Sequence, residues 1–314
     1  MFDEPRWIRA SGRTLAAYAA GEGRPVVVLP GVWDLAASFR ELVPPLVAAG
    51  HRVIAFDLPG HGRSPSWGET SISLASLSKV LADALAELGV ERALVVGHDF
   101  GARLGRELAA RHPGRVSALA SIAMVLTGRM PVDPVALFRE ALGPRFFLLA
   151  IEAPGPVEAL LRRDVERTLA FFHRGARPGS VPFEDTQYTF FDELDRFDPA
   201  AAPGYFLHDE PWRSRYVEAF EASVFDDALA CLRPLTQNWR DEGDRPEGLD
   251  IPVAFILGEL DALVPPSRLE GADLRPLFPN AVVEVVRGVG HHPHLEAPHD
   301  VVARLLELSR GASW

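Results

Sequence analysis

The sequence predicts an α/β protein with a mostly parallel sheet that carries helices on both faces. Short, continuous apolar runs alternate with amphipathic segments of helical period. Strands buried on both faces give such runs, whereas a half-exposed strand alternates apolar and polar residues. The alternation stops near residue 126 and resumes near residue 250. This gap predicts a helical segment inserted into the α/β core.

The first part of the core, residues 1–126, contains two opening strand-like segments and then continuous apolar runs. Strands are predicted at residues 7–10, 14–20, 25–29, 53–56 and 93–96. Helices are predicted at residues 35–49, 74–88 and 103–111, where apolar residues recur along one helix face. Residues 116–125 are expected to form a helix, a turn and a strand.

The middle and last parts of the chain differ in character. Residues 127–249 are rich in aromatic residues and Arg, are broken by Pro and Gly, and are predicted to form a helical cap. The second part of the core, residues 250–314, has strands at 252–257 and 281–286 and a closing helix at 301–309.

Composition and charge exclude several classes of protein. The 314 residues are 47% hydrophobic, which is too apolar for a disordered chain, and the net charge of −11 argues against nucleic acid binding. No apolar run is long enough to span a membrane, and no basic leader precedes an apolar stretch. The single cysteine, Cys231, cannot form an internal disulfide, so a cytoplasmic location is expected. A homodimer is compatible with the sequence.

The most informative stretch is Gly97-His98-Asp99-Phe100-Gly101, which lies between a predicted strand and a predicted helix. A sharp strand-to-helix turn of this form presents its central side chain above the carboxyl edge of the sheet. Glycines flank that position because Cβ atoms would not fit there. An ordinary glycine-rich turn with a solvated Asp is the alternative, but the flanking strand and helix favour a nucleophile, Asp99.

Two further polar groups follow the last two predicted strands. Asp261 comes after residues 252–257, and His291 after residues 281–286, which gives the chain order nucleophile, acid, histidine. Glu259 is an alternative acid, and Asp261 could instead cap a helix. The histidine-rich run at residues 291–294 also contains His292 and His294, but no matching carboxylate or cysteine spacing accompanies it, so no metal site is predicted.

At these positions the chain resembles the α/β-hydrolase superfamily, and within it the epoxide hydrolase and haloalkane dehalogenase branch with an Asp nucleophile. Residues 97–101 resemble the nucleophile motif of that branch. Residues 57–64, Asp-Leu-Pro-Gly-His-Gly-Arg-Ser, resemble the loop after the second long strand, and Gly290-His291 with residues 296–298 resembles the catalytic histidine segment. The resemblance implies an α/β-hydrolase fold with an inserted helical cap.

Carboxylate chemistry and the resemblance together predict a mechanism without cofactor or metal. Asp99 attacks an sp³ carbon of a small apolar organic substrate and forms an ester. His291, oriented by Asp261, then activates water. The backbone N–H groups of Val32 and Phe100 are expected to form the oxyanion hole.

Three departures from the family pattern concern the pocket. Residues 30–33 are Pro-Gly-Val-Trp where the family has His-Gly-x-Pro, and Phe100 stands where dehalogenases carry a halide-binding Trp. Trp239 precedes Arg240 where epoxide hydrolases carry a proton-donating Tyr, which leaves Tyr188, Tyr205 or Tyr216 as phenol donors. The predicted substrate-pocket residues are Trp33, Phe147, Tyr188, Tyr205 and Trp239.

Epoxide hydrolysis is therefore the expected function. Haloalkane or haloacid dehalogenation with the same residues is the alternative, and a non-catalytic ligand binder on the same fold is the second. Ordinary ester or C–C hydrolysis is disfavoured, because acyl transfer to the Asp99 carboxylate would give an anhydride.

Overall fold

The computed structural model describes residues 2, 4–175, 190–200, 210–222 and 225–314, which contain an eight-stranded sheet in the order β1-β2-β4-β3-β5-β6-β7-β8. The strands are β1 Arg6–Ala10, β2 Arg13–Ala20, β3 Arg24–Leu29, β4 His51–Phe56, β5 Ala93–His98, β6 Val116–Ile122, β7 Val253–Gly258 and β8 Ala281–Val286. The pairs β1–β2 and β2–β4 are antiparallel, and all other pairs are parallel. The predicted α/β fold with a mostly parallel sheet is confirmed.

Thirteen α-helices lie within the described residues. They are α1 Val43–Ala48, α2 Leu74–Glu87, α3 Phe100–Arg111, α4 Pro134–Ala141, α5 Phe147–Ala150, α6 Pro156–Arg162, α7 Val165–Phe172, α8 Phe190–Arg196, α9 Glu210–Ala222, α10 Phe225–Ala230, α11 Leu235–Asp241, α12 Pro293–Glu296 and α13 Pro298–Gly311. Within the part of the chain that the structure describes, no helix combines the length and the apolar character that crossing a membrane requires.

Two predicted elements differ from the observed ones. Residues 116–122 form one strand, β6, in which every residue is buried, and not a helix, a turn and a strand. Its small alanine and serine side chains favour neither period, and burial on both sheet faces selects the strand. The predicted helix at 35–49 is split into a 3₁₀ turn, Ala36–Glu41, and α1, because Pro44 and Pro45 have no N–H and fit only the first turn of a helix.

The sheet separates two apolar layers. Along β3, Val26 and Val28 pack into one layer, while Val27 and Leu29 pack into the other. All residues of β5, β6 and β7 are buried. The carboxyl ends of β3, β5, β7 and β8 therefore meet along one edge of a sheet that is held on both faces.

Helices α4 to α11 lie between β6 and β7, and residues 123–252 are called the insertion below. Arg106 of α3 donates to the carbonyl oxygens of Thr127, at 2.6 Å, and Glu247, at 2.8 Å. These carbonyls lie where the chain leaves the core and where it returns. One buried guanidinium thus holds both ends of the insertion against the helix that follows β5.

Candidate active site

Asp99 lies in the tight turn between β5 and α3. Its backbone has φ 49° and ψ −117°, a combination that costs energy for a residue with a side chain. A Cβ on Gly97 would lie 2.3 Å from the carbonyl oxygen of Gly101, and one on Gly101 would lie 2.1 Å from that of Leu29. The close packing of β3, β5 and α3 therefore fixes the turn and directs Asp99 over the sheet edge.

His291 and Asp261 approach Asp99 from the segments after β8 and β7, which lie on the far side of β6 from β5. Nδ1 of His291 lies 2.8 Å from Oδ2 of Asp261, and its Nε2 lies 3.7 Å from Oδ2 of Asp99. Oδ1 of Asp261 accepts the backbone N–H groups of Leu263 and Val264, at 2.8 and 3.0 Å. These bonds fix the carboxylate, which in turn fixes the imidazole.

The alternative residues from the sequence lie elsewhere. Glu259 accepts the backbone N–H of Gly288 at 2.9 Å and is exposed. His292 lines the cavity described below, whereas the Asp261 carboxylate bonds to His291, and His294 is buried and lies 3.8 Å from Asp34. The geometry therefore favours His291 over His292 and His294, and Asp261 over Glu259.

Charge interactions prepare the two central groups for opposite roles. Burial alone would raise the pKa of Asp99, but the nearby charge of His291 and the N–H of Phe100 lower it to about 2. Burial would lower the pKa of His291, but Asp261 and Asp99 together raise it to about 10. In the resting protein Asp99 is therefore an anion, and His291 is a cation between two carboxylates.

Two backbone donors face the Asp99 carboxylate. The N–H of Val32 lies 3.5 Å from Oδ1 of Asp99, and that of Phe100 also bonds to this carboxylate. Val32 follows β3, and Phe100 begins α3. The two predicted oxyanion donors thus converge on the predicted nucleophile from neighbouring strand ends.

A cavity of about 200 Å³ opens onto Asp99, and most of its lining is apolar. The predicted pocket residues Trp33 and Phe147 both line it, and the ring of Trp33 stacks on that of Phe172 at 3.9 Å. Several further lining residues were not predicted, and the insertion contributes most of them: Arg103, Met124, Phe171, Phe172, His173, Arg174 and Leu232. Four of them are consecutive, and the two aromatic and two basic residues at 171–174 are the one sequence signal among them.

One predicted pocket residue, Trp239, needs correction, and Tyr216, an alternative phenol donor, is bonded elsewhere. Trp239 was expected to face Asp99, but its indole N–H donates to the carbonyl oxygen of Met130 at 2.8 Å, Arg129 packs 4.2 Å from its ring centre, and it does not line the cavity. Tyr216, one of three candidate phenols, is buried and donates to Oδ1 of Asp34 at 2.6 Å. Tyr188 and Tyr205 lie outside the described residues.

Asp34 is the centre of a buried polar cluster that the sequence did not reveal. Oδ2 of Asp34 lies 3.7 Å from Nδ1 of His98 and 3.8 Å from Nε2 of His294, and Oδ1 lies 3.7 Å from Nε2 of His173. Burial would raise the pKa of Asp34, but the three imidazoles hold it well below its ordinary range. No carboxylate accompanies the histidine-rich run at residues 291–294 in the sequence, but the fold brings Asp34, which is far away in the chain, next to His294.

Comparison with known proteins finds a family model that matches this chain and proteins that are similar to it along most of their length. The profile of the family described as alpha/beta hydrolase fold matches residues 24–298. Epoxide hydrolase A of Mycobacterium tuberculosis is 31% identical over 98% of this chain and 97% of that protein. Epoxide hydrolase 3 of Siraitia grosvenorii is 28% identical over 81% of this chain and 80% of that protein. The structure of an epoxide hydrolase from an endophytic Streptomyces is similar with a TM-score of 0.88 at 27% identity, covering 98% of this chain and 95% of that one.

Proposed function

This chain belongs to the α/β-hydrolase family, in the branch of the epoxide hydrolases, and we propose from that premise that it hydrolyses a small apolar epoxide to a vicinal diol. The observation that carries the proposal is the ionised carboxylate of Asp99 in the turn between β5 and α3. It lies 3.7 Å from the imidazole of His291, which is bonded to Asp261 at 2.8 Å. The apolar cavity above Asp99 supports an apolar substrate.

In the first step, an oxygen of Asp99 attacks one carbon of the epoxide ring. A C–O bond forms between Asp99 and that carbon, the ring C–O bond breaks, and the ring oxygen takes up a proton. The product is a hydroxyalkyl ester of Asp99. Because the pKa of Asp99 is about 2, the nucleophile is charged at neutral pH and needs no base.

In the second step, water attacks the carbonyl carbon of the ester. Esterification removes the negative charge of Asp99, so the pKa of His291 falls, and the imidazole gives its proton to the group that protonated the ring oxygen and can then accept one from water. The N–H groups of Val32 and Phe100 stabilise the oxyanion. In the collapse of this intermediate the C–O bond to the substrate breaks and the leaving alkoxide takes the proton of His291, which releases the diol. Asp99, regenerated as the acid, then returns its proton to His291.

Oxygen isotopes provide the test of this mechanism. A single turnover in H₂¹⁸O, with enzyme in excess over styrene oxide, should place ¹⁸O in the peptide that contains Asp99 and leave the diol unlabelled. His291→Ala should accumulate the ester, visible as a mass increase of one substrate per chain. Label in the first diol would mean direct attack of water and would overturn the proposal, as would unreacted protein with every epoxide offered.

The source of the proton on the ring oxygen is a separate question. Tyr216 is bonded to Asp34 and is not among the residues described as lining the cavity, so we assign the donor to Tyr188 or Tyr205. Tyr188→Phe and Tyr205→Phe are compared in pre-steady-state ester formation, with Tyr216→Phe as the control. A selective loss of about tenfold or more in one of the first two identifies the donor. Equal rates in all three variants would contradict the assignment.

A further inference from the structure

Asp34, His98 and His294 form a buried cluster close to Asp99, in which one polar atom of each side chain faces the other two. Asp34, His98 and His294 are at most 2% exposed, and one ligand atom from each lies within 4.8 Å of the other two. Among the described residues, Oδ2 of Asp34, Nδ1 of His98 and both ring nitrogens of His294 have no hydrogen-bond partner. The separations of 3.7 and 3.8 Å from the Asp34 oxygen are too long for hydrogen bonds. Groups this deeply buried are normally satisfied.

The bonds made by the other atoms of the cluster decide what the convergent atoms can do. Nε2 of His98 lies 2.8 Å from the carbonyl oxygen of His291. A carbonyl only accepts, so Nε2 carries a hydrogen, and Nδ1 is the atom that faces Asp34 and would bind a cation. Oδ1 of Asp34 accepts from the Leu35 N–H at 2.8 Å and from the Tyr216 hydroxyl at 2.6 Å, which leaves Oδ2 facing the histidines. Metal-binding histidines typically donate their second N–H to a carbonyl in this way.

We propose that Asp34, His98 and His294 bind a divalent cation of the Zn²⁺ type. Two imidazole nitrogens and one carboxylate oxygen form a ligand set that Zn²⁺ accepts, whereas Mg²⁺ and Ca²⁺ require mostly oxygen. Zinc bonds of about 2.0 to 2.1 Å place tetrahedral ligand atoms about 3.4 Å apart. A contraction of a few tenths of an ångström brings the observed 3.7 and 3.8 Å to this value.

His173 lies at the other oxygen of the same carboxylate. Its Nε2 lies 3.7 Å from Oδ1 of Asp34, and its Nδ1 lies 3.0 Å from the carbonyl oxygen of Leu169. His173 follows α7, so Asp34 connects the proposed site to the insertion. The fourth position of a tetrahedral ion would be left for water.

The position of the site gives the ion a positioning role. Asp34 follows Val32 by two residues, His98 immediately precedes Asp99, and His294 follows His291 by three. Of the three ligands only His98 lines the cavity above Asp99, and neither Asp34 nor His294 does. The ion would therefore tie together the segments that carry the oxyanion donor, the nucleophile and the base without touching substrate, and this proposal does not depend on the epoxide reaction.

Metal content tests the site directly. Untagged wild-type protein is produced in zinc-supplemented medium, purified without chelator and analysed by plasma mass spectrometry beside His294→Gln and His51→Gln. His51 is a buried histidine at the start of β4, outside the cluster, and serves as the matched control. We expect about one zinc per chain in wild type and His51→Gln and a loss of about tenfold or more in His294→Gln.

Two results would overturn the proposal. Metal-free wild-type protein would mean that the three groups share a proton or a water, and equal zinc in all three proteins would mean adventitious binding elsewhere. If His294→Gln does not fold, cobalt-substituted wild type keeps the test open: visible d–d bands of a four-coordinate ion, together with a melting temperature above that of metal-free wild type, are the expected result. Absence of both would equally contradict the site.

Discussion

At the scale of single residues, Asp99 combines a partly buried position with full ionisation. Its pKa of about 2 arises because His291 and the Phe100 N–H together outweigh the cost of burial. A serine in this turn would need a base to become nucleophilic, whereas the carboxylate is ready at neutral pH. The charge of the side chain, more than its shape, is therefore what the site requires at this position.

Asp99→Asn tests this requirement, because the amide matches the carboxylate in shape but has no charge. We expect turnover of an epoxide to fall by about 10³ or more with the melting temperature nearly unchanged. Asp273→Asn, an exposed carboxylate far along the chain, is the control and should keep full activity. Retention of more than about a tenth of the wild-type rate would rule out Asp99 as nucleophile. Intact mass must be checked on fresh protein, since Asn can deamidate back to Asp.

The same variant reports on His291. Asp99 and Asp261 raise the pKa of this imidazole to about 10, against the effect of burial. Removing the charge of Asp99 removes one raising influence, so the pKa of His291 in Asp99→Asn should fall below that of wild type. NMR titration of the His291 ring measures both values. An unchanged pKa would mean that Asp99 does not control the protonation of the base, and the sequence of the two chemical steps would need revision.

At the scale of elements, the turn between β5 and α3 depends on glycine for close contact. A Cβ on Gly101 would lie 2.1 Å from the carbonyl oxygen of Leu29, which belongs to the backbone of β3 and cannot rotate away. Either β3 or α3 must then move. Both carry parts of the site, since β3 leads to Val32 and α3 begins at Phe100.

Gly101→Ala should therefore lower the free energy of unfolding by about 2 kcal/mol or more. Gly114→Ala is the matched control, because a Cβ there meets nothing within 4 Å and the residue has no positive φ. Urea denaturation of the two variants and wild type gives the comparison. A Gly101→Ala protein as stable as Gly114→Ala would show that the backbone contact is relieved at no cost.

The convergence of the main site residues could be predicted, because each lies in the segment that follows a parallel strand. Asp99, Asp261 and His291 stand at strand ends that the sequence marks, and parallel topology brings such ends together. The cluster around Asp34 could not be predicted, since it depends on the directions of side chains in a loop, at the end of β5 and in α12. The prediction for Trp239 is wrong for a related reason: its position before Arg240 does not determine whether the side of α11 that carries it faces the cavity.

At the scale of the whole molecule, Arg106 connects the insertion to the core at both of its ends. Its two bonds, to the carbonyl oxygens of Thr127 and Glu247, span 120 residues of chain with one side chain. The guanidinium is itself buried, so these carbonyls would lose a charged donor if it were removed. The placement of the cavity wall thus depends on a residue outside the cavity.

Arg106→Met tests this connection, because methionine fills much of the space without donating. The free energy of unfolding should fall by about 2 to 4 kcal/mol, and limited proteolysis should cut the insertion before the core. Arg115→Met is the control, because among the described residues the Arg115 side chain donates to the carbonyls of Val90 and Glu91, outside the insertion. Equal protease resistance in the two variants would mean that Arg106 does not secure the insertion.

The attachment through Arg106 has a consequence for engineering. Arg106 binds the chain both where it leaves the core and where it returns, so the segment between Thr127 and Glu247 has two defined ends at which it could be exchanged. A donor segment whose two ends each offer a carbonyl to that group could replace it while β5, β7 and β8 keep the reactive groups in place. Substrate preference could then be transplanted between homologues in one piece, with the chemistry supplied by the recipient.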